Sequence, residues 1–278
     1  MMKLNEDWKQ QRNYTKLEEP MFWLTWDEFI EYFTDVNITV IEEHMDRIAQ
    51  KFTLKDNHYS MNIDIVQNGP CVIEIQQMDK LFCDPNYQYA NIRMFLVKKS
   101  DKAPKNLLYK AIYEKNSREV YLETMLEKGS YLLICEIDKI SEARDFMLNI
   151  WYSQVMEMEA EQDNEFSCHR HYKDVLCNVA IDKGVQEKLM TEGEVSRYTM
   201  NSEKLGLKIF AFTNSTENKY SLIEKFQTKG DFVCSVEMKQ NYLHLNLPPY
   251  SKKAIIFKYS SAKETSIEIA DHCMQITG

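Results

Sequence analysis

Short runs of alternating apolar and polar residues fill most of this chain beyond residue 60, and they limit its fold more than any other feature. Seven runs rich in Ile, Val, Tyr and Phe follow one another within about ninety residues, and turn sequences such as Asn68-Gly69-Pro70 separate them. Because no helical pattern lies between them to connect parallel strands, the runs predict an antiparallel β-sandwich. They are YSMNIDIV, PCVIEIQQM, YANIRMFLV, LLYKAIYE, REVYLETM, YLLICEI and DFMLNIWYS.

A second series of runs predicts a second β-sandwich over residues 173–278. Between the two series, residues 154–172 contain five carboxylates without an alternating apolar face, which predicts an acidic linker or a long surface loop. The segment VAIDKGVQEKLMTEGEV, just after this linker, fits no single element. The runs of the second series are GLKIFAFTN, KYSLIEKF, DFVCSVEM, YLHLNL, KKAIIFKYS and TSIEIA.

The aromatic segment MFWLTWDEFIEYF, from Met21 to Phe33, predicts a short helix at about 26–33. Thr25 stands at the N-cap position and Glu28 completes a capping box. Apolar residues then recur at i, i+3, i+4 and i+7, which gives the helix one apolar face. That face consists of Trp26, Phe29, Ile30 and Phe33.

Residues 41–52 allow two interpretations. Ile41, Met45, Ile48 and Phe52 are spaced for a helix, and Thr39 with Glu42 offers a second capping box. The family comparison given below favours an extended connection instead, so both alternatives stay open.

Composition narrows the class of protein. The net charge of −9 is spread along the chain without a long basic tract, which argues against nucleic acid as the main partner. The sequence contains no apolar run of transmembrane length and no signal-peptide pattern, so a cytoplasmic protein is expected. Seven scattered cysteines without a CxxC pair predict free thiols.

The N-terminal forty residues resemble the closing part of a calpain-type cysteine protease core, where a tryptophan-bearing segment leads into an S/T-x-x-D/E-F helix. Residues 41–153, with VIEIQQMDKLF and ANIRMFLVKK in the expected order, resemble the C2-like β-sandwich that follows that core. The second half resembles the extra β-sandwich of many calpain-like proteins in single-celled eukaryotes. The predicted fold is therefore mainly β: two antiparallel β-sandwiches in tandem, the first C2-like, preceded by a short helical segment at 1–40.

The resemblance does not extend to catalysis. Calpain chemistry needs a cysteine, a histidine and an asparagine, and the family places the asparagine in an Asn-Pro-Trp stretch upstream of the matched region. This chain contains no Asn-Pro dipeptide, and its first cysteine, Cys71, falls in a predicted strand. We therefore expect neither peptidase activity, nor catalytic residues, nor a cofactor.

Two segments contain possible metal ligands. Cys168, His169 and His171 form CHRH, which could supply a pair of zinc ligands, but no further ligands stand at a recognisable spacing, so a polar surface loop is the favoured interpretation. The run from Glu157 to Glu165 could bind calcium, but it lacks an Asp-x-Asp-x-Asp-Gly pattern, and a solvated linker is favoured.

Two hypotheses of function remain. The first is a non-catalytic, calpain-like module that binds proteins or serves as a structural part of a larger assembly, which the family resemblance suggests could be cytoskeletal or ciliary. Its candidate docking strip consists of Trp8, Phe22, Trp23, Trp26 and Phe29. The second is the regulatory portion of a calpain-type protease whose catalytic part is separate, binding calcium or acidic phospholipid.

Overall fold

A computed structural model describes residues 25–32, 45–54, 57–100, 107–138, 143–153, 158–162, 165–190, 194–259 and 265–277. The chain divides into two compact units, Met1–Glu43 and His44–Gly278.

Helix α1, Trp26–Tyr32, is the described element of the first unit. Its N-terminus has the predicted capping box: Thr25 N donates to Glu28 Oε2 at 2.8 Å, and Glu28 N donates to Thr25 Oγ1 at 3.2 Å. These bonds satisfy amide groups that a helix start otherwise leaves without partners. The predicted helix and its cap are therefore confirmed over these residues, and Phe33, the last residue of the predicted helix, lies outside the described residues.

The second unit begins with a sandwich of two antiparallel sheets. Sheet A has the order β1-β8-β3-β6, and sheet B has the order β5-β4-β7-β2-β9. All seven predicted runs are strands, and alternate residues such as Ile73, Ile75 and Leu133 are fully buried between the sheets. The strands are β1 Met45–Leu54, β2 His58–Ile65, β3 Gly69–Gln77, β4 Asn91–Lys98, β5 Leu107–Glu114, β6 Glu119–Leu126, β7 Gly129–Asp138, β8 Arg144–Ser153 and β9 Met158–Gln162.

Strand β1 decides the contested segment in favour of the extended alternative. It pairs antiparallel with β8 over its whole length, from Met45 opposite Ser153 to Leu54 opposite Arg144. Phe52 and Leu54 are buried in the core between the sheets. The helical spacing was misleading because Ile48 and Phe52 also lie on one face of a strand, whose first half is only partly covered, whereas Met45 lies on the other face. Ile41 and the proposed cap residues lie outside the described residues.

The predicted acidic linker at 154–172 is wrong where the structure describes it. Residues 158–162 form β9, which pairs with β2 at the edge of sheet B, and helix α2, Glu165–Lys183, follows. Apolar residues recur along α2 with helical spacing, so the helix has a face to bury. That face consists of Cys168, Tyr172, Val175, Leu176, Val179 and Ala180. A boundary at residue 172 divided this pattern in two and concealed it.

Two further sheets form the second sandwich. Sheet C has the order β10-β11-β12-β16-β14, and sheet D has the order β15-β13-β17. The six predicted runs lie in these strands, although DFVCSVEM contributes only three strand residues. The strands are β10 Val185–Lys188, β11 Val195–Ser202, β12 Leu207–Asn214, β13 Lys219–Lys229, β14 Phe232–Cys234, β15 Tyr242–Leu247, β16 Lys252–Tyr259 and β17 Ser266–Thr277.

Helix α2 lies between the two sandwiches and joins them. Its apolar face packs in one buried cluster with Phe95 and Ile134 of sheet B and with Ile209 and Ile256 of sheet C. The second unit is therefore layered as sheet A, sheet B, α2, sheet C and sheet D. The two predicted sandwiches are both present, but they share a helix-filled core instead of being connected by a solvated linker.

Candidate binding surface

The predicted docking strip is only partly described. Trp8, Phe22 and Trp23 lie outside the described residues. On α1, the Trp26 side chain is 70% exposed and its ring stacks on that of Phe29, with 5.7 Å between centroids. The exposure of Trp26 fits a contact surface, and because three of the five residues lie outside the described residues, the strip stays a prediction.

A different apolar surface stands out in the loop between β3 and β4. Met78, Leu81 and Phe82 are 51%, 86% and 81% exposed, and we call these three residues the apolar tip. Leu81 and Phe82 lie on a single 3-10 turn, Lys80–Phe82. Burying exposed apolar surface in a partner is favourable by roughly 25 cal/mol per Å².

Hydrogen bonds hold the turn that carries the apolar tip. Asp79 caps it, since its Oδ1 accepts from Leu81 N at 2.9 Å and its backbone carbonyl accepts from Phe82 N at 3.0 Å. Asp84 forms a second turn behind it, where its side chain accepts from Asn86 N at 2.8 Å. A surface that is fixed before binding loses less conformational entropy on binding.

Charged residues brace the same loop from the side. The Lys80 ammonium lies over the Tyr89 ring, 4.3 Å from its centroid. Arg118, from the turn between β5 and β6, bonds Asp79 Oδ2 at 2.7 Å. The tip is thus an apolar projection with one cation of its own and a supporting ion pair at its base.

A buried cluster of charges joins the two sandwiches. We call Arg93, Glu136, Asp138 and Lys258 the ion cluster. Arg93 Nη1 lies 3.3 Å from Glu136 Oε2 and 2.5 Å from Asp138 Oδ2, and Lys258 from sheet C bonds Glu136 Oε1. Two cations therefore neutralise two carboxylates, which removes most of the cost of burying each charge alone.

Neighbouring groups complete the hydrogen bonding of the ion cluster. Arg93 Nε donates to the Leu205 carbonyl at 2.7 Å, and its guanidinium lies 3.9 Å from the centroid of the Tyr113 ring. Tyr172 of α2 donates its hydroxyl to Glu136 Oε2 at 2.8 Å. Burial, together with the charge of Glu136, raises the pKa of Tyr172 well above its usual value, so the hydroxyl remains a donor. These contacts mark the cluster as a fixed joint between sheets B and C.

A second buried charge group crosses the interior of the second sandwich. Glu224 of β13 is fully buried and receives Arg197 Nη1 at 2.9 and 3.0 Å, while Arg197 Nη2 bonds Glu187 of β10. Burial raises the pKa of Glu224 to about 7 against the pull of Arg197. With two carboxylates and one guanidinium, a proton on Glu224 balances the charge.

The segments weighed as metal sites have other contacts in the structure. Cys168 is buried on α2, and Ser60 Oγ donates to its sulfur at 2.9 Å. His171 is one turn of the same helix away and partly buried, whereas the His169 side chain is not described. Among the described residues, no group of three or more His, Cys, Asp or Glu side chains could hold a metal ion.

The sequence contained a signal for the apolar tip. An adjacent Leu-Phe pair stands in MDKLFCDPN, inside a turn-rich segment that no strand pattern can bury. The ion cluster had no such signal, because its members come from β4, β7 and β16 and meet only in the folded chain.

No protein-family model matches this chain, and no curated protein is significantly similar to it. The resemblance to calpains therefore stays a prediction. In the described part of the chain, no helix combines the length and the apolar character needed to cross a bilayer.

Proposed function

We propose that this chain is a non-catalytic binding module that contributes to a larger protein assembly, and that the apolar tip is its contact surface. The observation that carries the proposal is the exposure of Leu81 and Phe82 on a hydrogen-bonded turn. Buried, preorganised apolar anchors contribute most of the binding energy in protein interfaces. A partner pocket that takes both side chains would gain about 3–5 kcal/mol from their burial.

The frame behind the tip supports the same proposal. The loop follows β3, whose Ile73 and Ile75 are fully buried in the core of the first sandwich, and the ion cluster fixes that sandwich to the second. The tip is therefore attached to a frame in which both sandwiches contribute to one buried core. This property suits a structural subunit, and the cytoskeletal or ciliary setting suggested by the calpain resemblance belongs to this proposal.

The test is recovery of a partner from native extract with the tagged full chain, by affinity capture and mass spectrometry. We expect a specific partner that is captured by the wild-type chain and lost with Leu81→Ser/Phe82→Ser. The matched control is Tyr250→Ser, which removes one exposed large side chain elsewhere on the second unit. Loss with both variants, or with neither, would refute the assignment of the tip.

One observation favours a second candidate function, binding to acidic phospholipid. The tip projects Leu81 and Phe82 beside Lys80, and an apolar pair with an adjacent cation also suits insertion at a membrane interface. Cosedimentation with phosphatidylserine vesicles distinguishes the candidates. Vesicle binding that the double serine variant abolishes supports the lipid candidate, and binding that depends on added calcium would extend it to the calcium-regulated form.

A further inference from the structure

Strand β17, Ser266–Thr277, forms one edge of sheet D. It pairs antiparallel with β13 on one side, and no described strand lies on its other side. An edge strand presents unpaired N–H and C=O groups that can pair with another chain, so folded proteins usually protect such edges with charges, prolines or bulges.

The features of β17 that hinder pairing with another strand lie in its first half. Its charged residues, Glu268 and Asp271, lie in the first half, where the register with β13 also shifts near Ala270. From His272 to Thr277 the sequence HCMQIT has no Asp, Glu, Lys or Arg, no proline and no glycine. This half is therefore a flat edge without charge, of the kind that adds a strand readily.

The other described edges differ from the second half of β17 in charge or length. Strands β1, β5, β6, β9 and β10 each carry at least two charged residues, and β14 has only three residues. Strand β15 is uncharged, but it is short and runs into Pro248-Pro249, which have no amide hydrogens to offer. Of the described edges, the second half of β17 is the one whose sequence does least to prevent another strand from pairing with it.

The backbone of β17 indicates which groups face outward. His272 N donates to Asp271 Oδ1 at 2.8 Å, so this amide points away from β13. In an antiparallel ladder every second residue points the same way, which places the N–H and C=O groups of Met274 and Ile276 on the open edge. Ile276 lies opposite the buried Tyr220, yet 61% of it is exposed, so this apolar side chain is left uncovered at the edge of the sheet.

We propose that this chain self-associates through β17, with residues 271–277 of two copies paired antiparallel about a two-fold axis at Met274. This register joins the outward-facing groups of Met274 to each other and the N–H of Ile276 to the C=O of His272 of the second copy. The N–H of His272 exchanges its bond with Asp271 Oδ1 for one with the C=O of Ile276 of the second copy. It sets Asp271 opposite Thr277, so no like charges meet. It also ends before the irregularity at Ala270, and it covers the exposed Ile276. A second copy fits this edge because the uncharged stretch is complementary to itself.

The first measurement is the mass of the full chain by light scattering across a concentration series. We expect a concentration-dependent rise toward the mass of two chains. In the proposed register Cys273 faces Gln275 of the second copy on the solvent side. The variant Cys273→Glu/Gln275→Glu then sets two pairs of carboxylates opposite each other, and we expect self-association to weaken by about tenfold.

Matched variants separate register from general edge damage. Cys273→Lys/Gln275→Lys should weaken association similarly when alone, and mixing it with the glutamate variant should restore the two-chain mass. The control is His244→Glu/Asn246→Glu, which places the same charges at exposed positions on β15 of the same sheet. A wild-type chain that stays monomeric at every concentration, a glutamate variant that associates as well as wild type, or opposite-charge variants that fail to combine would each overturn the proposal.

Discussion

Replacing Arg93 with methionine tests whether the ion cluster joins the two sandwiches. The side chain is 1% exposed and makes three kinds of contact: with the carboxylates of Glu136 and Asp138, with the Leu205 carbonyl and with the Tyr113 ring. Methionine retains most of the apolar stem of arginine but supplies no charge and no donor.

The expected cost follows from what the substitution leaves behind. Removing one partner of a buried, hydrogen-bonded ion pair costs about 3–5 kcal/mol, and an orphaned buried carbonyl costs about 1–3 kcal/mol. Lys258 and Tyr172 still contact Glu136, which offsets part of this loss. We therefore expect the free energy of unfolding to fall by about 4 kcal/mol.

Urea titration followed by far-UV circular dichroism measures this change. The matched control is Arg118→Met, since Arg118 also contacts two carboxylates, Asp79 and Glu119, but is 47% exposed. Exposed ion pairs contribute little, so the control should lose less than about 1 kcal/mol. A similar loss in both variants, or a loss below about 1 kcal/mol for Arg93→Met, would refute the assignment of the ion cluster as a joint.

Three further outcomes are expected. Gly206→Ala should destabilise the chain by more than about 2 kcal/mol, because the residue has φ +60 and an added Cβ would lie 2.4 Å from the Tyr259 carbonyl oxygen. Gly129→Ala, where φ is +143 and the added Cβ meets no backbone atom this close, should cost less in the same urea titration. Glu224 keeps its proton to about pH 7 in the folded chain but loses it near pH 4.5 in the unfolded chain, so the free energy of unfolding should fall by about 3 kcal/mol as the pH rises from 4.5 to 7. Glu224→Gln should flatten this pH dependence in denaturation curves, and a pH profile that the variant leaves unchanged would contradict the prediction. Cys273 is exposed whereas Cys135 is fully buried, so a thiol reagent should modify the native protein rapidly at Cys273 and reach Cys135 only after unfolding. A fast reaction that keeps its full amplitude in Cys273→Ser would contradict the exposure of Cys273.

The strands of both sandwiches could be predicted because each half-buried strand shows its burial as a period of two. The runs around Ile73 and Leu245, for example, alternate between buried and more exposed positions in the folded chain, as their sequences do. The strand from Met45 could not be decided in this way. Ile48 and Phe52 fit both periods, and pairing with β8 distinguishes them.

Helix α2 was missed for a different reason. Its N-terminal part follows an acidic run, a pattern typical of a solvated linker, although Tyr172, Val175, Leu176 and Val179 lie at helical spacing. The ion cluster was beyond prediction, because nothing in the sequence near Arg93 shows that Lys258 will lie beside its carboxylate partner. Local pattern predicts elements, whereas contacts between distant elements depend on topology.

The position of α2 also affects how the chain folds as it is synthesised. The first sandwich can close once β9 has been made, since its strands pair with one another. The outer face of sheet B, with Phe95 and Ile134, stays uncovered until α2 has formed, and α2 in turn waits for Ile256 near the end of the chain. Until the last third of the chain is made, the side of this shared core that packs on sheet C therefore stays exposed, and we expect the nascent chain to be a substrate for chaperones during that interval.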